Sequence, residues 1–448
     1  MNFAEFKKAV IAKAEAMGIA EYELYYQAGE STSVSAFKHE INQFTSSIEG
    51  GVCFRCIVGG KMGYASTEDL SPAQAEAVVE KAAANAAVLE AEEAVFLGEG
   101  GKTYTPLELK PYELPATDAL IAKVLSTQEQ IYAANPAVID GSSTQGFSER
   151  SEIAIVNSKG LDLHYENNAS GLVVAAVVTD GKEMSNDYQI KLGALDSIDT
   201  QKLTAKAADT ALSKLGGDVA PTGVYPVVFD PEAMSDLLST FSSIFSSEVA
   251  QKGLSRLADK EGQVIAASCV TLVDDPFHKD NPMPINFDAE GSPTVCKKVI
   301  ENGTLNTLLY NLKTAAVAGK QTTGNASKAG YDSAVAVRPF TMYLAPGEYT
   351  EEQLLEKAGS GVYINSLGGL HAGANAVTGD FSLQSAGYMI KDGKKTTHVK
   401  SFTVAGNFYD LLKAITAVGS NMELPSAMGM TAFGAPSVLV ENLSIAGK

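Results

Sequence analysis

Three turn signals constrain this chain more than any other feature. Gly59-Gly60-Lys61, Glu301-Asn302-Gly303 and Lys391-Asp392-Gly393 each separate two runs of strand-like residues. Glycine and asparagine reach the positive φ angles of a tight hairpin at little cost, so each signal predicts two antiparallel neighbours in a sheet. Before the first turn Val52, Phe54 and Cys56 alternate with Cys53, Arg55 and Ile57, the period of a strand with one face buried. Further strands are expected at 22–28, 33–40, 43–49, 138–142, 149–157, 161–179 and 183–192, and in the second half at 224–229, 294–300, 304–310 and 437–444.

Helices are expected between these runs. One spans 3–17, with Phe3, Phe6, Val10 and Ala14 on a single face, and stops at Gly18. Ser71-Pro72 opens another to about Glu93, since serine caps free N–H groups and proline tolerates the first turn. Others are expected at 116–134, 199–215, 230–247 and 407–418. The stretch 98–115, rich in Gly, Pro and Tyr, reads as a loop crossing the surface. The fold class is therefore α+β in two domains. Residues 1–220 form an antiparallel or mixed sheet with flanking helices, and residues 221–448 form a β-rich, barrel-like domain with inserted helices. The boundary falls near 217–223.

Charge and composition exclude several classes. Hydrophobic residues make up 45% of the 448 residues and charged residues 19%, which suits folded cores and not a disordered chain. The formal net charge of −19 repels phosphate backbones, so no direct nucleic-acid partner is expected. The longest apolar run, Gly171 to Val178, falls far short of the ~20 residues of a membrane span. The first residues read as an amphipathic helix and not as a signal peptide. Four cysteines are too few for a disulfide framework. A cytoplasmic, non-membrane protein is expected.

Familiar catalytic motifs fail on their own terms. Gly101-Lys102-Thr103 resembles the end of a phosphate loop, but Phe96 stands where the first glycine is required. No Gly-x-Ser-x-Gly elbow is present. Cys53 and Cys56 lie in an alternating strand and point to opposite faces; with Cys269 and Cys296 they read as buried small apolar residues. His39-Glu40 begins a zinc-peptidase motif that Gln43 and Phe44 do not complete, and no two of the five histidines lie within a helical turn. The run Asp274 to Asp280 reads as a solvated turn. No metal ligands and no catalytic residues are assigned.

Longer phrases carry more. Val270-Thr-Leu-Val-Asp-Asp-Pro276, Asp288-Ala-Glu-Gly291, Thr323-Gly-Asn-Ala326, Leu370-His-Ala-Gly-Ala-Asn375, Thr378-Gly-Asp-Phe-Ser-Leu383 with Gly387-Tyr388, and Ala405-Gly-Asn407 follow one another in order. In that order and spacing the chain resembles the TldD/PmbA family, often labelled modulators of DNA gyrase. The stretch 57–66 (IVGGKMGYAS) resembles the family's hairpin, so the match runs along essentially the whole sequence. One kind of family subunit, TldD, carries His-Glu-x-x-x-His on a helix and a further Cys near the C-terminus, which together bind a peptidase zinc. The other, TldE or PmbA, lacks these ligands and pairs with the first.

Here the matching helix, 234–247, shows Ser239, Thr240 and Ile244 at the ligand positions, and no histidine lies between His164 and His278. The C-terminal ligand position falls in Pro425 to Met430, without a cysteine. The resemblance therefore implies the metal-free type: a non-catalytic subunit with no cofactor of its own, whose zinc is expected in a TldD-type paralogue. It forms either that heterodimer or a homodimer, and the complex degrades or trims unfolded peptides. His371, Asn375, Asp380, Gln384 and Asn325 are the candidate contacts to peptide in a shared cavity. Taken alone, a single histidine such as His371 is more often a hydrogen-bonded core residue, and glycines such as Gly379 suit tight turns. Two other functions stand beside this one. The chain is a self-sufficient hydrolase built on Asp288, Glu290 and His278, or a peptide-binding or gyrase-modulating protein.

Overall fold

The N-terminal half starts with α1 (Phe3–Ala16), which a reciprocal Asn2–Glu5 capping box closes at its N-terminus. It continues as β1 (Glu21–Phe37), β2 (Glu40–Val58), β3 (Lys61–Thr67), α2 (Pro72–Val88), α3 (Thr117–Ala134), β4 (Ser143–Asn157), β5 (Asp162–Thr179), β6 (Met184–Leu192) and α4 (Thr200–Ser213). A computed structural model describes residues 1–90, 94–107, 113–281, 283–424 and 431–448. The six strands form one sheet in the order β3-β2-β1-β4-β5-β6, every neighbouring pair antiparallel.

Strand alternation gives the two faces of this sheet different work. Tyr22, Leu24, Val34 and Ala36 of β1 point to the helices. The first two join Phe6, Val10, Val78 and Val79 of α1 and α2, and the last two join Leu120, Val124, Ala207 and Ala211 of α3 and α4. Tyr25 on the opposite face joins Cys53, Ile153 and Ile155, and these pack against Ile285 and Phe287 of the second half. Cys53 and Cys56 are both buried, one on each face.

The second half comprises β7 (Asp218–Val219), β8 (Gly223–Phe229), α5 (Pro231–Phe241), a 3₁₀ turn (Ser242–Phe245), α6 (Ser247–Gln251), β9 (Leu272–Asp274), β10 (Lys297–Glu301), β11 (Thr304–Leu305), α7 (Leu312–Val317), β12 (Ala326–Ser327), β13 (Ala336–Val337) and β14 (Thr341–Leu344). It ends with α8 (Glu351–Ala358), β15 (Gly361–Gly368), α9 (Leu370–Gly373), β16 (Asp380–Lys391), β17 (Lys394–Asn407), α10 (Phe408–Ala414), β18 (Ile415–Val418), β19 (Ala432–Gly434) and β20 (Val438–Ala446). Strands β20, β8, β15, β16 and β17 pair in that order, and β17 pairs back onto β20, closing a five-stranded barrel. Only β8 and β15 run parallel in this ring. One face of its strands, with Val227, Phe229, Ile364, Leu383 and Val440, feeds the main core shared with α5 and α10. The other, with Val228, Tyr363 and Leu439, packs against Leu354 and Leu355 of α8.

Several elements depart from the sequence expectations, each for a local reason. The strands expected at 22–28 and 33–40 are one strand, β1, because its hairpin to β2 turns at Lys38 (φ 59°) and His39 (φ 97°), without glycine. The His39 ring is held 4.6 Å from Tyr132 and accepts or donates at 2.8 Å with Glu129, contacts no local pattern reveals. The helix expected over 230–247 ends at Phe241. There Thr240 and Ser242 hydroxyls bond the carbonyls of Asp236 and Ser239, a competition that favours the tighter turn. The late helix ends at Ala414, where Ile415 and Val418 continue as β18. The hairpin after Val295 is shorter than expected, pairing only 300–301 with 304–305, and Val138 and Asp140 make isolated bridges only. Part of the expected end of α2, Glu93 included, lies outside the described residues. Cys269 and Cys296 are exposed and lie outside strands, contrary to the expected burial.

The loop expected to cross the surface instead ties the two halves together. Asn157 donates to the Gly98 carbonyl, the Tyr104 hydroxyl to Gly291, and the Asn286 amide to Thr105. A Cβ at Gly98 would stand 2.1 Å from the Glu290 carbonyl oxygen. Beneath this strap the Arg55 guanidinium meets the Glu23 carboxylate at 2.6–2.7 Å, both about 95% buried or more, and Asn157 donates to the other Glu23 oxygen. Removing one partner of a buried ion pair strands the other, at a cost of about 3–5 kcal/mol. Arg55→Ala should therefore lower the denaturation midpoint strongly. Lys298→Ala, which breaks an exposed pair with Glu301, should change stability by less than about 1 kcal/mol. A double Glu23→Leu/Arg55→Met variant that recovered none of the Arg55→Ala loss would contradict the stranded charge as its cause.

Candidate functional site

Helix α5 begins at Asp230, whose carboxylate accepts the Ala233 N–H at 2.8 Å, with Pro231 in the first turn. Its buried stripe is Ala233, Met234, Leu237, Leu238 and Phe241. Phe241 stacks on Phe408 at 4.7 Å and lies 6.2 Å from Phe381, so one aromatic trio fixes α5 against β16 and the start of α10. The helix also packs on α9, β15 and β19.

The two phrases quoted from β16 and β17 meet at this point. Asp380 pairs with Asn407, Phe381 with Gly406 and Gln384 with Thr403 across the ladder. Asn407 donates to the Asp380 carboxylate at 2.7 Å and to the Thr378 carbonyl at 2.8 Å, while its own oxygen caps Tyr409. That bond, followed by one from Thr378, holds the Asp380 carboxyl below the usual carboxylate range. The loop before it closes on itself. Asn375 Oδ1 accepts the N–H groups of Val377 and Thr378, and Gly379 (φ +80°) lies where a Cβ would stand 2.5 Å from the Tyr409 ring. Only glycine suits both the angle and the space.

Four of the five expected contact residues share this patch. Gln384 pairs with Gly368, just before α9, and Ala374 bridges to Phe381. His371, Asn375, Asp380 and Gln384 are all exposed, so His371 is a surface residue of α9 and not the core histidine expected of a lone imidazole. Asn325 is elsewhere and fully buried. Its amide donates to Asp274 and the Arg338 carbonyl, its oxygen accepts from Thr323, and none of its surface is open to a ligand. Asp274 is likewise no solvated turn residue, because it receives Lys297, Asn325 and the N–H groups of Phe340 and Thr341 in the core.

The ligand positions implied by the resemblance do not form a zinc donor set. Ser239 is exposed, the Thr240 hydroxyl bonds the Asp236 carbonyl, and Ile244 is wholly buried in the 3₁₀ turn beyond the helix. Alcohols are poor zinc ligands and an alkyl side chain is none. Among the described residues no group of three or more His, Cys, Asp and Glu is arranged to hold a metal. The stretch 425–430, where the resemblance places the C-terminal ligand, lies outside the described residues.

Of the residues of the alternative hydrolase, Asp288 and Glu290 lie side by side and are engaged by backbone N–H groups. Asp288 accepts N–H groups from Glu290, Ser292 and Ala326, and Glu290 accepts that of Leu312. Both carboxyls are buried and raised, first by loss of hydration, as braces at the seam between the halves. His278 lies edge-on to Tyr343, its Nδ1 accepting the Asp280 N–H.

Sequence reasoning missed an acidic strip on α5. Glu232 and Asp236 occupy the outward side of α5 that also carries Ser239 and Thr240, a spacing of 232, 236 and 239/240 that is legible in the sequence. Their charge acts on Tyr188 of β6, whose hydroxyl is raised by burial and then by Asp236, Glu232 and Asp187. Burial pushes the Asp236 carboxyl up to about 6 from 3.8. A carboxyl raised on folding binds more protons native than unfolded between these values. Stability contributed here thus falls as pH rises from about 4 to about 6, and stays lower above. Asp236→Asn should raise the denaturation midpoint at neutral pH, by about 1–2 kcal/mol after allowing for solvent screening. The gain should vanish below pH ~4, where both forms are neutral. An equal gain at both pH values would refute the burial argument.

The comparisons with known proteins agree with this architecture. Three family models match in succession: PmbA/TldA metallopeptidase domain 1 over 22–86, the central domain over 110–215, and the C-terminal domain over 222–447. A metalloprotease of Methanothermobacter thermautotrophicus is 27% identical over 415 residues, covering 89% of this chain and 88% of its own. Metalloprotease PmbA of Escherichia coli O157:H7 is 25% identical over 431 residues, covering 93% and 90%. A crystal structure from Thermotoga maritima, described as a candidate modulator of a DNA gyrase, superposes with a TM-score of 0.89 at 31% identity. It covers 99% of this chain and 100% of its own. With a matched C-terminal domain, two further domain matches and full-length relatives, the chain belongs to the PmbA/TldD metallopeptidase family.

Proposed function

We propose that this chain is the non-catalytic subunit of a zinc peptidase complex acting on unfolded peptides, with the metal supplied by a TldD-type paralogue. The observation that carries the reading is the triplet Ser239, Thr240 and buried Ile244 at the positions where the resemblance places zinc ligands. A scaffold that keeps the family's frame but offers no imidazole or thiolate there serves to bind and orient, not to activate water.

The chain's own contribution is the patch on α9 and β16. Alternation along β16 turns Asp380, Ser382 and Gln384 outward while Phe381, Leu383 and Ser385 stay buried. An extended peptide has unsatisfied N–H and C=O groups at every residue. Carboxylate and amide side chains at strand spacing on β16, with the imidazole of α9 next to them, meet that demand without selecting a sequence. The carboxylate of Asp380, held ionised by Asn407, is the strongest acceptor in the row.

The test is metal content by mass spectrometry and cleavage of an unfolded peptide, on the chain alone and co-purified with its zinc-motif paralogue. The chain alone should hold no stoichiometric zinc and cleave nothing, and the pair should do both. Stoichiometric zinc with activity in the chain alone would overturn the reading. Within the active pair, His371→Ala and Gln384→Ala should raise KM several-fold with little change in kcat. Unchanged KM in both would remove the patch from peptide binding.

A further inference from the structure

Lys328 is a cation buried at the seam between the halves, 4% exposed. It follows β12, where the Ala326 N–H donates to the Asp288 carboxylate and the Ala326 carbonyl accepts the Ala289 N–H. On its other side β12 pairs with Ala336 and Val337 of β13, so the backbone that carries Lys328 is held from two directions. The side chain reaches the first sheet, where its Nζ stands 4.8 Å over the Tyr25 ring. A ring face replaces part of an ammonium's hydration but supplies no full negative charge.

Among the described residues no carboxylate lies within ion-pair distance of this ammonium. Of the acids whose charge reaches it, Glu23 is taken by Arg55 and Asn157, and Asp332 is exposed to solvent. Cys53, opposite Tyr25 in the β1–β2 ladder, is no substitute, because burial raises its thiol and keeps it protonated. Burial likewise lowers the basicity of Lys328. A buried ammonium in this position is stabilised by an anion at its side.

A cavity of about 20 Å³ lies there, with Lys328 the one basic residue in its lining. About 10–15 Å³ suffices for a single water, so this space takes one species of that size and excludes sulfate, phosphate and larger carboxylates. Ile285, Phe287 and Phe340 supply apolar walls. Aromatic edges carry the positive side of the ring quadrupole, so phenylalanine walls need not repel an anion. Ser327, also in the lining, has a hydroxyl that bonds no other described residue and can donate into the space. Asp288 is the one acid in the wall, and both its oxygens are occupied by the N–H groups of Glu290, Ser292 and Ala326.

We propose that this cavity is a chloride site, in which the ion pairs with the Lys328 ammonium, accepts from the Ser327 hydroxyl and ties the segment after β12 to the first sheet. It uses none of the residues of the α9–β16 patch, so the inference stands independently of the proposed function.

Thermal unfolding of the full chain tests the site, with chloride replacing gluconate at constant sodium and ionic strength, since gluconate is far too large for the cavity. Tm should rise by about 1–2 °C for each tenfold increase in chloride above the dissociation constant. Lys328→Met, which keeps an unbranched side chain without the charge, should abolish that response. Lys298→Met, at an exposed lysine, should retain it. Crystals of the unaltered chain grown in bromide should show an anomalous peak against Lys328 Nζ, a measurement that holds even where the Lys328 variant fails to fold. A water and no bromide at that place, a Tm indifferent to chloride, or a chloride response that survives Lys328→Met would each overturn the proposal.

Discussion

The rest of the molecule depends on one docked surface, the face of the six-stranded sheet that carries Tyr25, Cys53, Ile153 and Ile155. A sheet with helices on one side must bury its other face or leave it polar, and this one does each in a different region. Near the strand ends toward Glu23 and Asn157 it is apolar and covered by Ile285, Phe287 and Tyr331. Further along β1 the same face carries Gly29, Ser31, Ser33 and Ser35, and needs no cover. The Arg55–Glu23 pair sits inside the apolar part. Charged groups there are tolerable only with every partner in place, so the pair fixes how the second half must sit. Lys328, 4% exposed and 4.8 Å over the Tyr25 ring, adds a second cation whose burial lowers its basicity.

The second half carries this constraint outward through its barrel. Closure of β17 onto β20 removes two edges that would otherwise compete for stray strands, and it holds the β16–β17 ladder in register. The ladder sets Asp380 against Asn407, and the Phe241–Phe408–Phe381 trio sets α5 against both. The exposed row on β16 is thus backed by the largest core of the protein. Side chains placed on strands backed in this way are held in fixed positions and lose little entropy when a flexible ligand arrives.

Much of this was legible in the sequence, for reasons that differ by element. The hairpins at Gly59-Gly60 and Asp392-Gly393 were readable because glycine declares positive φ, and α2 because Ser71-Pro72 declares a helix start. The Lys38-His39 turn was silent, since its geometry is imposed by Tyr132 and Glu129 from a distant helix. Likewise the role of Asn325 could not be read from Thr-Gly-Asn-Ala, because its partners Asp274 and Arg338 are brought to it by the fold. Four of the five expected contact residues meet on one surface because they lie on β16 and on the short helix and loop that lead into it. The acidic strip of α5 is legible in the same way, since residues 232, 236 and 239/240 follow the helical period.

The Ile244 position bears on how the chain keeps the family's frame. A histidine at a metal site needs its ring nitrogens directed to the ion and to a second partner, both polar demands in a tight space. Ile244 has neither demand and lies wholly inside the main core beside Phe241 and Phe245. Burying an isoleucine side chain contributes about 1.5–3 kcal/mol, where an unliganded imidazole would have to find hydrogen-bond partners. The serine run that follows α5 then bends the chain into a 3₁₀ turn, so residues 239, 240 and 244 no longer share one helical face. Histidines placed at 239, 240 and 244 would therefore not share one helical face, because the chain turns between them.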